Sequence, residues 1–272
     1  MNKGTLYSVP LFSVGQVEAL TVRPASARLF FYDMNHMETI TLSRRLAALA
    51  ALVPQGSCPV DVGTDHGYLP AWLLQNGVCS RAYATDLRSK PLESAMRTAQ
   101  AAGLSGQITF FLYDGLEDCP PREVDTVIIA GMGGENIAGI LERAPWTREK
   151  LLILQPMSRQ EVLRAFLTEH GYAIVSEHLV QDGGILYQVL TARGGTPAPH
   201  TPAELLTGRF ALLEADPLLP EYLEKTLQKL RHAEAGLACA SSEEAALRLE
   251  KMRAVIDGME QEYRRLQDAE RG

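Results

Sequence analysis

The stretch 59–75 constrains the fold most, because its residue pattern changes from strand to helix across a short loop. The β-branched run Val60-Asp61-Val62 is typical of a buried strand. Gly63 ends that run, Gly67 follows four residues later, and an apolar helical pattern begins directly afterwards. Strand, glycine turn and helix in this order open many nucleotide-binding α/β domains. A tight turn without a ligand gives the same pattern, so other signals must decide between the two.

The loop also carries two carboxylates, Asp61 and Asp65, which bear on the kind of ligand. Asp65 stands where a G-x-G-x-x-G dinucleotide loop would have its second glycine. The two negative charges would repel a pyrophosphate. A ligand with a cationic end suits such a loop better, and S-adenosylmethionine, with its sulfonium and ammonium groups, is one such ligand.

Strand and helix patterns alternate along residues 59–170, which predicts a parallel sheet with helices on both faces. The strands of this part are predicted at 60–62, 81–86, 108–113, 124–130 and 151–154. Two further strands, 172–180 and 185–190, are joined by a linker too short for a crossover, so the last strand must return antiparallel. A parallel sheet that ends in a β-hairpin is the topology of class I (Rossmann-like) methyltransferases. A dinucleotide dehydrogenase would ordinarily continue with β-α units.

Composition divides the chain into three parts. Residues 1–37 lack a clear period and the features of a signal peptide, which favours a dispensable extension or a short ordered arm. Residues 38–195 begin with an amphipathic helix and contain the predicted S-adenosylmethionine-dependent methyltransferase domain. A linker rich in Gly and Pro then leads to a helical domain, 196–272. Because the hairpin completes the sheet before this linker, the methyltransferase domain is predicted to fold without the helical one.

The helical domain is predicted to be an antiparallel hairpin of two long helices, because each carries an apolar stripe. Its role stays open between an arm that grips a large substrate, a stabilising appendage and a dimer contact. Ten Lys and Arg residues stand against fourteen Asp and Glu residues from 201 to 272, which does not decide the matter. A basic stripe on the second helix would support the arm: Arg248, Lys251, Arg253, Arg264 and Arg265.

Charge and cysteine content argue against several other classes of protein. A net charge of −7 disfavours a surface that coats nucleic acid, although one basic face would still allow binding. The four cysteines are scattered without a Cys/His cluster, which argues against a zinc site and a disulfide framework. No apolar run approaches the ~20 residues that span a bilayer. The sequence therefore predicts a cytoplasmic protein without metal or membrane contact. Its oligomeric state is open, with a monomer favoured.

Acids and glycines follow four of the predicted strands, whose ends share the carboxyl edge of the sheet, where ligands of open α/β sheets bind. Asp86 ends the second strand, 25 residues after Asp61. In nucleotide-binding folds an acid at this distance holds the ribose hydroxyls. Asp114 and Gly115 follow the third, where a carboxylate can accept a hydrogen bond from an adenine amino group. Glycines in 130–134, after the fourth, let the chain pass close to a ligand.

Several strings of residues resemble the TrmK family, the bacterial tRNA (adenine-22, N1)-methyltransferases. They are Asp-Val-Gly-Thr-Asp-His-Gly-Tyr-Leu-Pro (61–70), Ala-Thr-Asp (84–86), Asp-Gly-Leu (114–116), Ala-Gly-Met-Gly-Gly (130–134), Leu-Ile-Leu-Gln-Pro (152–156) and Gly-Ile-Leu-Tyr (184–187). The likeness covers residues 40–192, and a helical C-terminal domain is also typical of the family. The family often has Ser-Asp-His-Ala in place of Thr-Asp-His-Gly at 64–67, and Gln-Pro-Asn where this chain has Met157.

The resemblance implies methyl transfer from S-adenosylmethionine to N1 of adenine 22 in tRNA. It implies that the strand ends hold the cofactor through Asp61, Gly63, Asp65, Gly67, Asp86, Asp114, Gly115, Ala130 and Gly131. Because N1 methylation makes the base cationic, Asp65 either stabilises that charge or only orients the cofactor. His66 either contacts the base or caps the helix. The catalytic candidates are Asp65, His66 and Met132, and the base-contacting candidates are Tyr68, Gly133, Asn136, Gln155 and Pro156.

Two other functions remain open from the sequence. A methyltransferase of the same fold could act on another RNA, a protein or a small molecule. A non-catalytic binding module could also keep the cofactor fold. The full set of acids and glycines at the strand ends argues against the second alternative.

Overall fold

The computed structural model describes residues 5–7, 38–117, 119–238 and 242–271. Its strands are β1 (Thr5–Tyr7), β2 (Pro59–Val62), β3 (Ala82–Asp86), β4 (Ile108–Leu112), β5 (Thr126–Gly133), β6 (Leu151–Ser158), β7 (Tyr172–Asp182) and β8 (Ile185–Gly194). Its helices are α1 (Arg44–Ala51), α2 (Tyr68–Gln75), α3 (Ser89–Ala101), α4 (Gly134–Arg143), α5 (Gln160–Glu169), α6 (Pro202–Thr207), α7 (Phe210–Leu213), α8 (Leu219–Leu237) and α9 (Glu243–Arg271), with a 3-10 helix at Pro145–Glu149. The sequence pattern predicts all the longer elements but not the short helices α6 and α7.

The strands form one sheet in the order β1-β4-β3-β2-β5-β6-β8-β7. Neighbours from β4 to β6 run parallel, β8 runs antiparallel to β6, and β7 runs antiparallel to β8. The predicted fold, a mostly parallel sheet that ends in an antiparallel hairpin, is therefore confirmed. β1 adds an antiparallel strand beside β4. The rest of the predicted extension, 1–4 and 8–37, lies outside the described residues. That this extension is dispensable stays a prediction.

Apolar side chains cover both faces of the central strands. Ile128 of β5 and Ile153 of β6 pack under α1, α2 and α3, whereas Ile129 and Leu154, the next residues along, pack under α4 and α5. Alternate residues of one strand point to opposite faces, so the middle of each of these strands is continuously apolar. The carboxyl ends of the strands are left as the place where polar side chains can gather.

β5 and β6 run past their predicted ends, because the two strands stay paired beyond Ala130. Register shifts on either side of Met132 show that this end of β5 is bulged. Gly131 has a φ of 78°, a left-handed conformation that glycine adopts without strain. Gly134 then begins α4, where a Cβ would collide with the carbonyl oxygen of Arg159. The glycine-rich segment is thus a bulged strand end, and it still delivers Met132 to the carboxyl edge.

α8 and α9 form the predicted antiparallel pair. Arg231 of α8 contacts Glu260 of α9 at 2.7 Å, and Glu234 of α8 contacts Arg253 of α9 at 2.8 Å, so residue numbers rise along one helix as they fall along the other. Apolar side chains of both helices share a core, in which Leu223, Leu227 and Met259 are buried. None of the helices in the described ranges is long and apolar enough to cross a membrane.

A buried arginine joins the sheet to the C-terminal helices. Arg164 of α5 is 1% exposed, and its guanidinium donates to Glu177 of β7 at 2.7 Å and to Gln188 of β8 at 2.6 Å. The same guanidinium donates to the carbonyl oxygens of Leu205 and Leu206 in α6, at 3.1 and 3.3 Å. One side chain therefore connects a helix, both hairpin strands and the C-terminal domain.

Further contacts cross the predicted boundary at residue 195. Glu177 accepts a hydrogen bond from the backbone N–H of Arg209, and Gln188 donates to the hydroxyl of Tyr222 in α8. Leu179 of β7 packs into the core of the helical domain. The division into 38–195 and 196–272 stays a prediction, and these contacts indicate that cutting the chain there would expose a buried ion pair.

Removal of the buried carboxylate should test how strongly this connection holds. Glu177→Ala should lower the free energy of unfolding by about 3–5 kcal/mol, because the Arg164 guanidinium would stay buried without a carboxylate. Denaturant unfolding of the full chain measures the loss. The matched double variant Arg164→Met, Glu177→Leu should cost less, since no uncompensated charge remains. Equal losses for the two variants would mean that packing rather than charge holds this region.

Candidate active site

A cavity of about 990 Å³ opens at the carboxyl edge of the sheet, beyond the ends of β2, β3, β4 and β5. Most of the predicted site residues line it: Asp61, Gly63, Asp65, His66, Gly67, Tyr68, Asp86, Asp114, Gly115, Ala130, Gly131, Met132 and Asn136. Three residues predicted to contact the base are not part of this lining: Gly133, Gln155 and Pro156. The fold thus gathers side chains from four strand ends around one space.

Glycine is required where β2 enters the cavity. Gly63 has a φ of 76°, and a Cβ there would collide with the methyl group of Met132. Its N–H and that of Thr64 both donate to the carbonyl oxygen of Thr85, at 2.8 and 2.9 Å, which ties the loop to the end of β3. Gly67 begins α2 with a φ of 68°, and a Cβ there would press on Ala95 of α3 at 2.9 Å. Both glycines hold the loop close to its neighbours.

Asp61 sits on β2 at the floor of the cavity. Burial raises the pKa of its carboxyl from the ordinary 3.8 to about 6, and the charge of Asp86 acts in the same direction. The nearby Thr64 hydroxyl and the charge of Arg45 oppose this rise in pKa. A carboxyl that titrates so close to neutrality is suited to a cationic ligand, because such a ligand favours the ionised form.

The two other strand-end acids differ in their surroundings. Asp86 is buried, and its Oδ1 accepts a hydrogen bond from the backbone N–H of Arg88 at 2.7 Å, which fixes the carboxylate at the cavity wall. Asp114 is more than half exposed, and its Oδ2 lies 3.0 Å from Nη2 of Arg143. Arg143 also contacts Glu117 at 3.3 Å. Both acids have an arginine nearby, since Arg88 Nε lies 3.6 Å from Asp86 Oδ1, but only Asp86 is buried and fixed by a backbone N–H.

Two stacked rings stand at the mouth of the cavity. The rings of His66 and Tyr68 lie 5.3 Å apart, centroid to centroid, with 22° between their planes. His66 Nδ1 lies 2.9 Å from the hydroxyl of Ser94 in α3, and its Nε2 lies 3.4 Å from Asp65. The start of α2 at Gly67 receives no side-chain hydrogen bond, which favours the alternative in which His66 contacts the base. Its ring is held at the mouth.

Arg45 is a cavity residue that the sequence reasoning missed. Its Nη1 donates to Oε1 of Gln155 at 2.8 Å, and its guanidinium lies over the ring of Tyr187 at 5.7 Å. The same oxygen of Gln155 accepts from the N–H of Gly131 at 3.2 Å. Gln155 is fully buried, so in this structure it supports Arg45 and the end of β5 and does not reach into the cavity.

A signal for Arg45 exists in the sequence. Arg45 stands between Leu42 and Leu49 at helical spacing, so this charged residue lies on the apolar face of α1. A charge on such a face needs a polar partner inside the fold. Its partner Gln155 is 110 residues away, and only the folded chain brings the two together.

We looked for side chains that could bind a metal ion. Across the ranges that the structure describes, no group of three or more His, Cys, Asp or Glu side chains is arranged to hold a metal ion. Cys58, Cys79 and Cys119 are free thiols buried in the fold.

Residues 42–190 match a protein family described as a methyltransferase domain. This match spans β2 to β7, most of β8 and the whole cavity, so fold and site define a methyltransferase of the class I type. The chain is also 33% identical over 239 residues to the tRNA (adenine(22)-N(1))-methyltransferase of Bacillus subtilis strain 168, across 81% of this chain and 99% of that protein. The chain therefore belongs to the tRNA (adenine(22)-N(1))-methyltransferase family.

Solved structures agree with this assignment. The crystal structure of the B. subtilis m1A22 tRNA methyltransferase TrmK superposes with a TM-score of 0.75 at 29% identity and covers 82% of this chain and 99% of that one. Streptococcus pneumoniae Sp1610, crystallised in complex with S-adenosyl-L-methionine, gives a TM-score of 0.70 at 32% identity over 80% of this chain and 100% of that one. Both likenesses include the C-terminal helices as well as the sheet.

The raised pKa of Asp61 leads to a pH test of the cavity. Affinity for S-adenosylmethionine should fall about tenfold as the pH drops from 7 to 5, because the carboxyl becomes protonated below about 6 and loses its attraction for a cation. Isothermal titration at several pH values measures this. Asp61→Asn should bind more weakly at pH 7, with little further loss toward pH 5. An equally steep loss in that variant would assign the titration to another group.

Proposed function

We propose that this protein transfers a methyl group from S-adenosylmethionine to N1 of adenine 22 in tRNA. The observation that carries the proposal is one cavity that holds the acids and glycines of four strand ends in a chain of this family. The same family relationship makes tRNA the proposed partner. We propose that the reaction uses no metal ion and that the protein does not contact a membrane. We also propose that the protein acts in the cytoplasm.

The residues present fit the cofactor. Asp61 would face the ammonium group, because its carboxyl lines the cavity and ionises near neutrality. Asp86 would accept from the ribose hydroxyls, since it is buried and already oriented by Arg88. Asp114 would accept from the adenine amino group. Glycines at the strand ends keep the backbone open to the ligand: Gly63, Gly67, Gly115 and Gly131, with Ala130 beside them.

Arg45 would bind the carboxylate of the cofactor. Arginines 45, 88 and 143 line the cavity in the described ranges. Arg143 contacts Asp114, and Arg88 lies 3.6 Å from Asp86. Arg45 is hydrogen-bonded to a neutral amide and stacked on an aromatic ring instead, so its charge is available to an anionic group.

The proposed chemistry depends mainly on position. Bound S-adenosylmethionine would supply a methyl group activated by its sulfonium. The target N1 carries a lone pair and no proton, so the protein needs no general base and must chiefly align the base with the methyl carbon. Asp65 lies at the cavity mouth, where its carboxylate would stabilise the positive charge that develops on the methylated base.

The mouth of the cavity would hold the adenine. His66 and Tyr68 offer a stacked pair of rings on which an unstacked base can lie. Met132 and Asn136 line the cavity beside this pair and would border the base. Gly133, Gln155 and Pro156 would act indirectly, by shaping the bulged end of β5 and by orienting Arg45.

The proposal is tested on defined RNA. The protein, labelled S-adenosylmethionine and unmodified tRNA transcripts with adenine or guanine at position 22 are incubated, and the RNA is digested to nucleosides. We expect N1-methyladenosine only from the adenine transcript, and no product from Asp86→Ala, which should lose the cofactor. Product from the guanine transcript would move the target to another position. Label in protein or small molecules, and none in RNA, would favour the alternative substrates. No transfer at all would favour a binding module.

Two single variants should separate cofactor binding from catalysis. Arg45→Met removes a charge-assisted contact worth about 1.5–3 kcal/mol, so cofactor affinity should fall at least tenfold, with single-turnover rate at saturating cofactor largely kept. Asp65→Asn should lower the single-turnover rate about 10²-fold and change affinity far less. Calorimetry and quenched-flow measurements compare the two. If Asp65→Asn loses affinity as much as rate, Asp65 only orients the cofactor; unchanged affinity in Arg45→Met would refute the carboxylate contact.

A further inference from the structure

One face of α3 carries two cations beside the cavity. Lys90, Ser94 and Arg97 follow one another at steps of four and three residues, which places them on the same side of the helix. Lys90 and Arg97 are exposed. Among the described residues neither side chain lies in an ion pair, and Glu93, the acid between them, is also in none. We call Lys90, Ser94 and Arg97 the α3 face.

The α3 face is joined directly to the mouth of the cavity. The hydroxyl of Ser94, its middle residue, lies 2.9 Å from Nδ1 of His66. His66 stacks on Tyr68, and both rings line the cavity. A polynucleotide with one base on these rings would therefore have its backbone next to α3. The two cations stand roughly 10 Å apart along the helix, so they would meet different phosphates.

The C-terminal helices are less suited to phosphates. Several of their cations lie within 2.9 Å of a glutamate oxygen: Lys225, Arg231, Arg248, Arg253 and Arg265. Three of these belong to the basic stripe that the sequence predicts. A phosphate would have to displace a carboxylate from each of these five, in a segment where acids outnumber bases. The other two members of the predicted stripe, Lys251 and Arg264, are in no ion pair among the described residues, but they do not line the cavity. An exposed cation that has no carboxylate partner can bind a phosphate without breaking an ion pair, and the binding releases only counterions.

We propose that the α3 face binds backbone phosphates of the tRNA next to the nucleotide held in the cavity. The proposal rests on the proposed function, since it assumes that the large substrate is RNA. The net charge of −7 requires attraction to come from a local patch, and the α3 face is such a patch at the required place. The phosphate contact is then expected on the methyltransferase domain and not on the helical hairpin.

The experiment compares three double variants of the full chain with the wild type. Lys90→Gln, Arg97→Gln removes both charges; Lys90→Arg, Arg97→Lys keeps them; Arg248→Gln, Arg253→Gln removes two arginines that are already paired. Affinity for an unmodified tRNA transcript is measured between 50 and 200 mM salt, together with affinity for S-adenosylmethionine. The neutral α3 variant should bind tRNA at least fivefold more weakly at 100 mM salt. Its plot of log affinity against log salt should be less steep by about 1.4–1.8, the share of two phosphate contacts.

The controls keep the outcomes apart. The charge-keeping and the C-terminal variants should stay within twofold of the wild type in tRNA affinity, and all variants should bind S-adenosylmethionine equally, which reports an intact fold. Wild-type affinity and slope in the neutral α3 variant would overturn the proposal, and so would a larger loss in the C-terminal variant. If the wild type itself neither binds nor methylates tRNA, the proposed function fails, and this inference fails with it.

Discussion

The buried guanidinium of Arg164 is the contact on which the arrangement of the whole chain depends. An arginine in a protein interior must satisfy its charge and its N–H groups there. Here the partners are Glu177, Gln188 and two carbonyl oxygens of α6, so the hairpin and the helical domain are both held by one side chain. The helical domain is accordingly part of the folded body, and not an arm that hangs from a linker.

The same hairpin reaches the active site at its other end. Asp182, at the tip of β7, accepts from the backbone N–H of Arg45 at 3.1 Å, which holds the pKa of that carboxyl below its usual range. Tyr187 of β8 lies under the Arg45 guanidinium. The hairpin therefore has two tasks: Glu177 and Gln188 fasten the helical domain, and the tip positions a cation in the cavity.

Much of the site could be predicted because it follows a local rule. Asp61, Asp86 and Asp114 stand at or just after strands that periodicity identifies, and parallel strands bring their carboxyl ends to one edge. What the rule lacks is the state of each acid. Burial raises the pKa of Asp61, and Arg143 forms an ion pair with Asp114. Both effects come from residues distant in sequence. Gln155 was expected at the base because it follows a strand, yet continued pairing of β5 and β6 buries it.

The sequence by itself determined the succession of β2 to β8 along the chain and their directions, the glycine loop after β2 and the helical C-terminal domain, because periodicity, glycine and linker length act over short distances. It also supplied the family resemblance. Only the tertiary structure decided how the parts are joined and which charges stay available. Arg45 meets Gln155, Arg164 meets Glu177, and Arg248 and Arg253 of the helical hairpin meet glutamates, whereas Lys90 and Arg97 find no ion-pair partner in the described ranges. Pairing between side chains distant in sequence follows from packing, and no local pattern contains it.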